Sequence, residues 1–309
     1  MEKLDDFSFT VTEDLLPPGG EDERVDKVVS SFADALSRSY IQKLLAQGSI
    51  TVNGKRVKSS FRVGAEDQIS IRLPQAVTPD IEPEDIPLCV LYEDQDVIVV
   101  DKPKNMVVHP APGHYSGTLV NALLYHCRGN LSGINGILRP GIVHRIDRDT
   151  TGSVIACKND RAHESIAKQL KAHSIVRRYH AIVHGVLKED GTVHTLIGRH
   201  PTDRKKMAVL SGGGKDAVTH YRILKQYDRF TYIECALETG RTHQIRVHMA
   251  HIGHPLLGDT VYGPKSCPFS LEGQTLHAKI LGFLHPATGE YVEVDAPLPA
   301  YFQELLRKI

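Results

Sequence analysis

The stretch His144-Arg145-Ile146-Asp147-Arg148-Asp149-Thr150-Thr151-Gly152 sets a carboxylate among cations, between the strand-like runs Gly141 to Val143 and Ser153 to Cys157. Arg145 and Arg148 would favour the ionised form of Asp147, since a nearby opposite charge stabilises an anion. A permanently anionic group in a cleft suits a nucleophile or base better than an acid. The same residues also match the first half of a calcium loop, with Asp147, Asp149 and Thr151 alternating before Gly152. Such a loop needs a bidentate glutamate at its last position, where this chain has Lys158, and helices where these flanks read as strands. Asp149 therefore reads as a turn or capping group beside Thr150 and Thr151.

Seventeen histidines raise the question of a metal, above all His248, His251 and His254 following His243. Gly253 and Pro255 should end any helix there, and no Asp or Glu lies within the cluster, so no metal site is expected. A metal-dependent hydrolase is the reading this disfavours. The basic run Arg177-Arg178 and the loop from Arg199 to Lys206 could contact phosphate or be solvated surface.

These residues need elements to position them. Strand-like alternation marks Asp96 to Asp101, Arg178 to Gly185, Ala217 to Leu224 and Phe230 to Glu238. Helical patterns are fewer: Thr118 to His126, Arg161 to Ala172, a segment after Arg241, and Ala300 to Lys308. Thr288-Gly289 marks a hairpin turn. Regular strand–helix alternation is absent, so the expected class is α+β, with a mainly antiparallel mixed β-sheet in the larger segment.

A small N-terminal α/β domain is expected over 1–74, with its core at about 22–74. Val25, Val28, Val29, Phe32 and Leu36 recur at helical spacing. A second helix carries Ile41, Leu44 and Leu45, with Ser39 and Gln42 at capping-box spacing and Gly48 as its stop. Asn53-Gly54 then makes a tight hairpin before a strand alternating on Ile69, Ile71 and Leu73. Between Ala35 and Ala65 lie Arg38, Lys43, Lys55, Arg56, Lys58 and Arg62 with no acidic residue, a local positive field suited to RNA. Residues 75–88 carry only acidic charge and three prolines and read as a linker, leaving 89–309 as the catalytic domain.

Composition bounds the rest. With 309 residues, 41% hydrophobic and 24% charged, the chain has enough apolar surface for two globular domains. Its longest apolar runs fall far short of the roughly 20 residues of a membrane helix, and Met1 to Glu13 does not read as a signal peptide, so a cytoplasmic protein is expected. Five scattered cysteines suggest neither disulfides nor a thiolate cage. Net charge is zero, so phosphate must be attracted by local patches.

The loop around Asp147 resembles the signature of the RluA family of pseudouridine synthases, with Ile146 in place of the usual leucine. Further motifs agree in order: Asp101-Lys102-Pro103 with Val108-His109-Pro110, Arg178-Tyr179-His180-Ala181, Gly240 to His248, Gly258-Asp259 with Tyr262-Gly263, and Leu276-His277-Ala278 with His285-Pro286. The N-terminal segment resembles an RNA-binding domain first described in a small-subunit ribosomal protein, and the whole is similar to RluD-like members. The resemblance implies the pseudouridine synthase fold and isomerisation of uridine in structured RNA, with large-subunit ribosomal RNA or its assembly intermediate as partner. It implies no cofactor, and neither DNA nor membrane is an expected partner. By that likeness Asp147 is the essential aspartate, Tyr179 the aromatic against the target base, and Arg246 the partner of Asp147. Arg145 would fill the space a flipped base vacates, with His144 and Arg241 beside the substrate and Arg38, Lys43, Lys55, Arg56 and Lys58 on RNA. Whether Asp147 attacks the ribose or removes a ribose proton stays open. The alternative is a non-catalytic RNA-binding ribosome-assembly factor, against which the intact Asp147, Tyr179 and Arg246 argue.

Overall fold

A computed structural model describes residues 7–33, 36–72, 81–111, 114–136, 139–203 and 206–309. The chain divides into two compact units, Met1–Thr78 and Pro79–Ile309.

The first unit runs β1 (Phe7–Thr10), β2 (Glu23–Arg24), α1 (Val25–Phe32), α2 (Arg38–Gln47), β3 (Ile50–Val52), β4 (Lys55–Arg56), β5 (Arg62–Val63) and β6 (Gln68–Ile71). A sheet in the order β1-β6-β3-β4 packs Ile50, Ile69 and Ile71 against Val25, Val28 and Val29 of α1 and Ile41, Leu44 and Leu45 of α2. Asn53 and Gly54 both have positive φ, 50° and 75°, as a two-residue hairpin requires. Gly48 ends α2 in the left-handed conformation. The expected cap of α2 is displaced: Ser37, not Ser39, accepts from the Tyr40 amide at 3.4 Å. Gln42 instead donates at 2.7 Å to Asp26, a fully buried carboxylate that also takes Arg24 and Arg38. A buried charge needs every partner within reach, and that demand outweighs a local cap. Leu36 is buried but follows α1 rather than extending it, and Leu73 lies outside the described residues.

The second unit comprises β7 (Cys89–Glu93), β8 (Val97–Lys102), α3 (Leu119–His126), β9 (Thr151–Cys157), α4 (Asp160–Lys171), β10 (Val176–His184), β11 (Gly191–Arg199), β12 (Met207–Leu210), β13 (Lys215–Gln226), β14 (Phe230–Leu237), α5 (Gln244–His251), β15 (Leu276–Leu284), β16 (Tyr291–Asp295) and α6 (Ala300–Lys308). Among the described residues they build a ten-stranded sheet in the order β12-β11-β13-β14-β10-β15-β9-β8-β7, with β16 on β15. All pairings are antiparallel except β15 with β9, so the sheet is mixed but mainly antiparallel as expected.

β8 and β9 sit deep in the sheet with both faces covered, which is why their sequences are apolar almost throughout. Ile98, Val100 and Val154 join Leu119 and Leu123 of α3 on one side; Val97, Val99 and Ile155 join Ala162 and Ile166 of α4 on the other. Residues 81–88, read as part of the linker, are tied to this unit: Asn121 of α3 donates to the Glu82 carbonyl at 2.8 Å and accepts from the Glu84 amide at 3.0 Å. Gly141 to Val143 is not a strand. Gly141 has φ 70°, and only a single bridge joins Ile142 to Ala156.

Candidate active site

Asp147 sits on a tight turn in which the Thr150 amide donates to the Asp147 carbonyl at 3.1 Å. Three contacts fix this turn to the sheet. The Lys102 ammonium at the end of β8, fully buried, donates to the carbonyls of Pro103, Met106 and Arg148 at 2.8, 2.8 and 2.9 Å. Burial pushes its pKa down to about 7, while the charges of Asp149, Asp147 and Asp101 oppose the shift. Gln274 donates to Thr150 Oγ1 at 3.0 Å. Nε2 of His144 accepts from the Ile155 amide at 3.0 Å, and burial holds that imidazole down to about 4, hence neutral. His144 thus anchors the loop to β9 and also lines the two cavities beside Arg145.

The cation on Asp147 is Arg246, not the loop arginines. Nη1 of Arg246 donates to Asp147 Oδ2 at 2.8 Å, while Nε and Nη2 grip Asp259 at 2.7 and 2.9 Å. Burial works against the Arg246 charge, but the hydrogen bonds it donates to Asp259 and Asp147, with their negative charges, outweigh it and raise its pKa. Burial would raise Asp259; Arg246 and the amides of Tyr262 and Val261 reverse this and lower it. Arg148 turns instead to Asp149 at 2.9 Å, a neighbour within reach of an exposed side chain. Arg145 points its Nη1 at His109, 3.5 Å away.

His243, in the left-handed conformation at the start of α5, completes the surround. Its Nε2 lies 3.7 Å from Asp147 Oδ1, and its Nδ1 is 2.8 Å from the Tyr262 hydroxyl. That hydroxyl also accepts from the Met207 amide at 2.8 Å, so Tyr262 ties His243 to the start of β12. Burial lowers the pKa of His243, opposed by Asp147. The Tyr262 ring also stacks under the Arg246 guanidinium, 5.1 Å from centroid to carbon.

Tyr179 lies opposite a bulge in β15, where Lys279 is the extra residue, and β10 itself keeps its alternation, with Tyr179 facing inward. The ring is 9% exposed and shares one pocket with Arg145, Asp147, Arg241, His243 and Arg246. Burial pushes its phenol pKa up. Arg145 also lines two neighbouring cavities, one with His109 and Arg139, the other with Arg177 and Arg241. Arg241 is held by the Asp216 carbonyl, to which its Nε donates at 2.7 Å. The histidines weighed for metal go to separate partners: His248 to Thr195 and Thr219, His254 to the His184 carbonyl.

Residues 96–251 match the family model for RNA pseudouridylate synthase, and residues 23–69 that for the S4 domain. The chain is 50% identical over 288 residues to an uncharacterized RNA pseudouridine synthase of Bacillus subtilis strain 168, YlyB, covering 93% of this chain and 94% of the relative. The chain belongs to the RNA pseudouridylate synthase family. The synthase is also 46% identical over 296 residues to ribosomal large subunit pseudouridine synthase D of Zymomonas mobilis, covering 93% of each. Its fold is similar to that of human RNA pseudouridylate synthase domain containing 1, with a TM-score of 0.58 at 27% identity, over 70% of this chain and 85% of that one. It is accordingly an isomerase that converts uridine to pseudouridine in RNA, with an S4 domain at its N-terminal side. No helix among the described residues of the synthase is long and apolar enough to cross a membrane.

In the S4 domain, Lys43, Lys55, Arg56 and Lys58 are exposed on α2 and the hairpin, and Arg56 and Lys58 line a shallow cavity with Gln42. Arg38 differs, because its Nε and Nη2 both donate to Asp26 Oδ2 at 3.2 Å. Sequence reasoning assigned no role to Asp259, Lys102 or Tyr262 of the synthase. A lysine closing an otherwise apolar strand is the signal that could have marked Lys102, since a buried ammonium must be held by acceptors.

Proposed function

We propose that the synthase isomerises its uridine at Asp147, within large-subunit ribosomal RNA. What supports the reading is one arrangement: the carboxylate of Asp147 at the pocket, bonded through Oδ2 to a buried arginine that Asp259 orients. An anion held this way is available to the ribose without first finding a partner. Tyr179 walls the pocket and would keep the detached uracil from leaving while it turns to present ring carbon five. Arg145, exposed at the mouth and reaching into three adjoining cavities, is placed to fill the stack that a flipped base vacates. Relatives named ribosomal large subunit pseudouridine synthase D support the choice of target. Lys43, Lys55, Arg56 and Lys58 of the S4 domain would hold RNA phosphates.

The test uses ribosomal transcripts labelled with tritium at uracil carbon five. The purified synthase should release tritium, and Asp147→Asn should abolish release while still binding RNA. Release by the variant at the native rate would sink the assignment. Mapping pseudouridines in ribosomal RNA from cells with and without the protein identifies the target uridine.

A further inference from the structure

Next to the catalytic pocket lies a second cavity of about 460 Å³ whose walls include Arg145, Lys171, His173, Arg177 and Arg241, with no acidic side chain among its lining residues. The two spaces share Arg145, Tyr179, Leu237 and Arg241, so whatever fills one abuts the occupant of the other. Arg177 precedes Tyr179 by two residues on β10, which puts both on the same face of the strand.

Arg177 is the unusual member. It is only 9% exposed, and among the described residues no carboxylate pairs with it. Its Nη2 donates to the Glu238 carbonyl at 2.9 Å, while its Nε, fully buried, has no partner. The chain makes room for this guanidinium: a Cβ on Gly240 would come within 2.7 Å of Nη1. A buried cation without a counter-charge is costly, so it is kept where an anion arrives to complete it. Arginine's planar fork suits phosphate oxygens, and Lys171 at the exposed rim adds a mobile point charge.

We infer that this cavity binds a backbone phosphate flanking the target uridine, with Arg177 as its buried anchor and Lys171 and Arg241 at its edge. The inference rests on the assignment of the catalytic pocket to Asp147. A phosphate seated here would fix the position of the flipped nucleotide along the strand, so the cavity sets register as well as affinity.

The experiment uses the full chain and an RNA oligonucleotide carrying the mapped target, labelled with tritium at uracil carbon five. Each phosphodiester flanking the target is replaced singly by a neutral methylphosphonate. Tritium release by the wild type and its loss in Asp147→Asn check the underlying reading separately. For the subsite, one flanking methylphosphonate should raise KM about tenfold in the wild type. The same replacement should have little further effect in Gly240→Ala, where the new methyl displaces the buried guanidinium, and a reduced but still clear effect in Lys171→Ala, which keeps that anchor. The slope of log KM against log salt should fall by about 0.7 for each lost contact. Arg177→Gln should behave like Gly240→Ala; if it fails to fold, the other two variants decide. Independent, multiplicative effects of variant and neutral linkage at every position would overturn the proposal.

Discussion

Asp259 reaches Asp147 through a single guanidinium: Arg246 donates twice to the former and once, at 2.8 Å, to the latter. Asp259 is fully enclosed, and its carboxylate also receives the amides of Val261 and Tyr262. The position of the Asp147 carboxylate is thus set by a residue that does not line the pocket.

Removing Asp259 should therefore injure both stability and turnover. Asp259→Ala leaves a buried guanidinium half-paired and should cost about 3–5 kcal/mol in urea unfolding. Arg246→Lys keeps a charge but cannot span two carboxylates, and kcat should fall by about 100-fold. Native unfolding midpoints and native kcat in these variants would show the network to be incidental.

The S4 domain has its own keystone. Asp26 is completely buried and collects Arg24, Arg38 and Gln42, which lower its pKa against the effect of burial. Asp26→Ala should unfold this unit at lower urea than the rest of the chain, separating one transition into two. Circular dichroism and fluorescence melts that stay superimposed with the wild type would contradict it.

Acid should loosen the second unit through its neutral histidines. Burial holds both His144 and His277 down to about 4, and His277 is fully enclosed between Thr151 and the Ala296 carbonyl. Between that value and about 6.5, an unfolded histidine binds a proton that the folded one does not. The contribution is complete above pH of about 6.5 and is lost as pH falls toward 4, by at most about 1.4 kcal/mol per pH unit per histidine. His277→Gln should flatten the fall in urea midpoint between pH 6.5 and 5. An equal slope in variant and wild type counts against this account.

Arg145→Ala should discriminate between targets. If the side chain occupies a vacated stack, its loss should slow a base-paired uridine by about 10-fold or more and an unpaired one far less, since only the first must be unstacked. Single-turnover rates on matched hairpin and single-stranded oligonucleotides compare the two. The same loss on both would assign Arg145 to phosphate alone.

How far the sequence reached depended on the range of the interaction. Val97 to Val100 and the Asn53-Gly54 turn announce their structures because periodicity and left-handed backbone are local properties. The Asp147 partner was a different matter. Arg145 and Arg148 adjoin it in the chain, yet Arg148 pairs with Asp149 and the bond comes from Arg246, 99 residues away. Nothing in charge spacing selects that distant arginine; only the family resemblance named it. Ser39 reads as a cap because Gln42 follows it at capping-box spacing, but Ser37 takes that place and Gln42 donates to the buried Asp26. Strand edges and the bulge opposite Tyr179 depend on the register between β10 and β15, which no single stretch of residues encodes.

One oxygen of Asp147 is occupied by Arg246, and the other faces only the His243 imidazole at 3.7 Å. With Asp147 as the proposed reacting carboxylate, an incoming sugar would meet Oδ1, the oxygen that Arg246 leaves open. On that proposal the two oxygens are already distinguished before any RNA is bound, and a tight inhibitor would present its electrophilic or acidic atom to Oδ1.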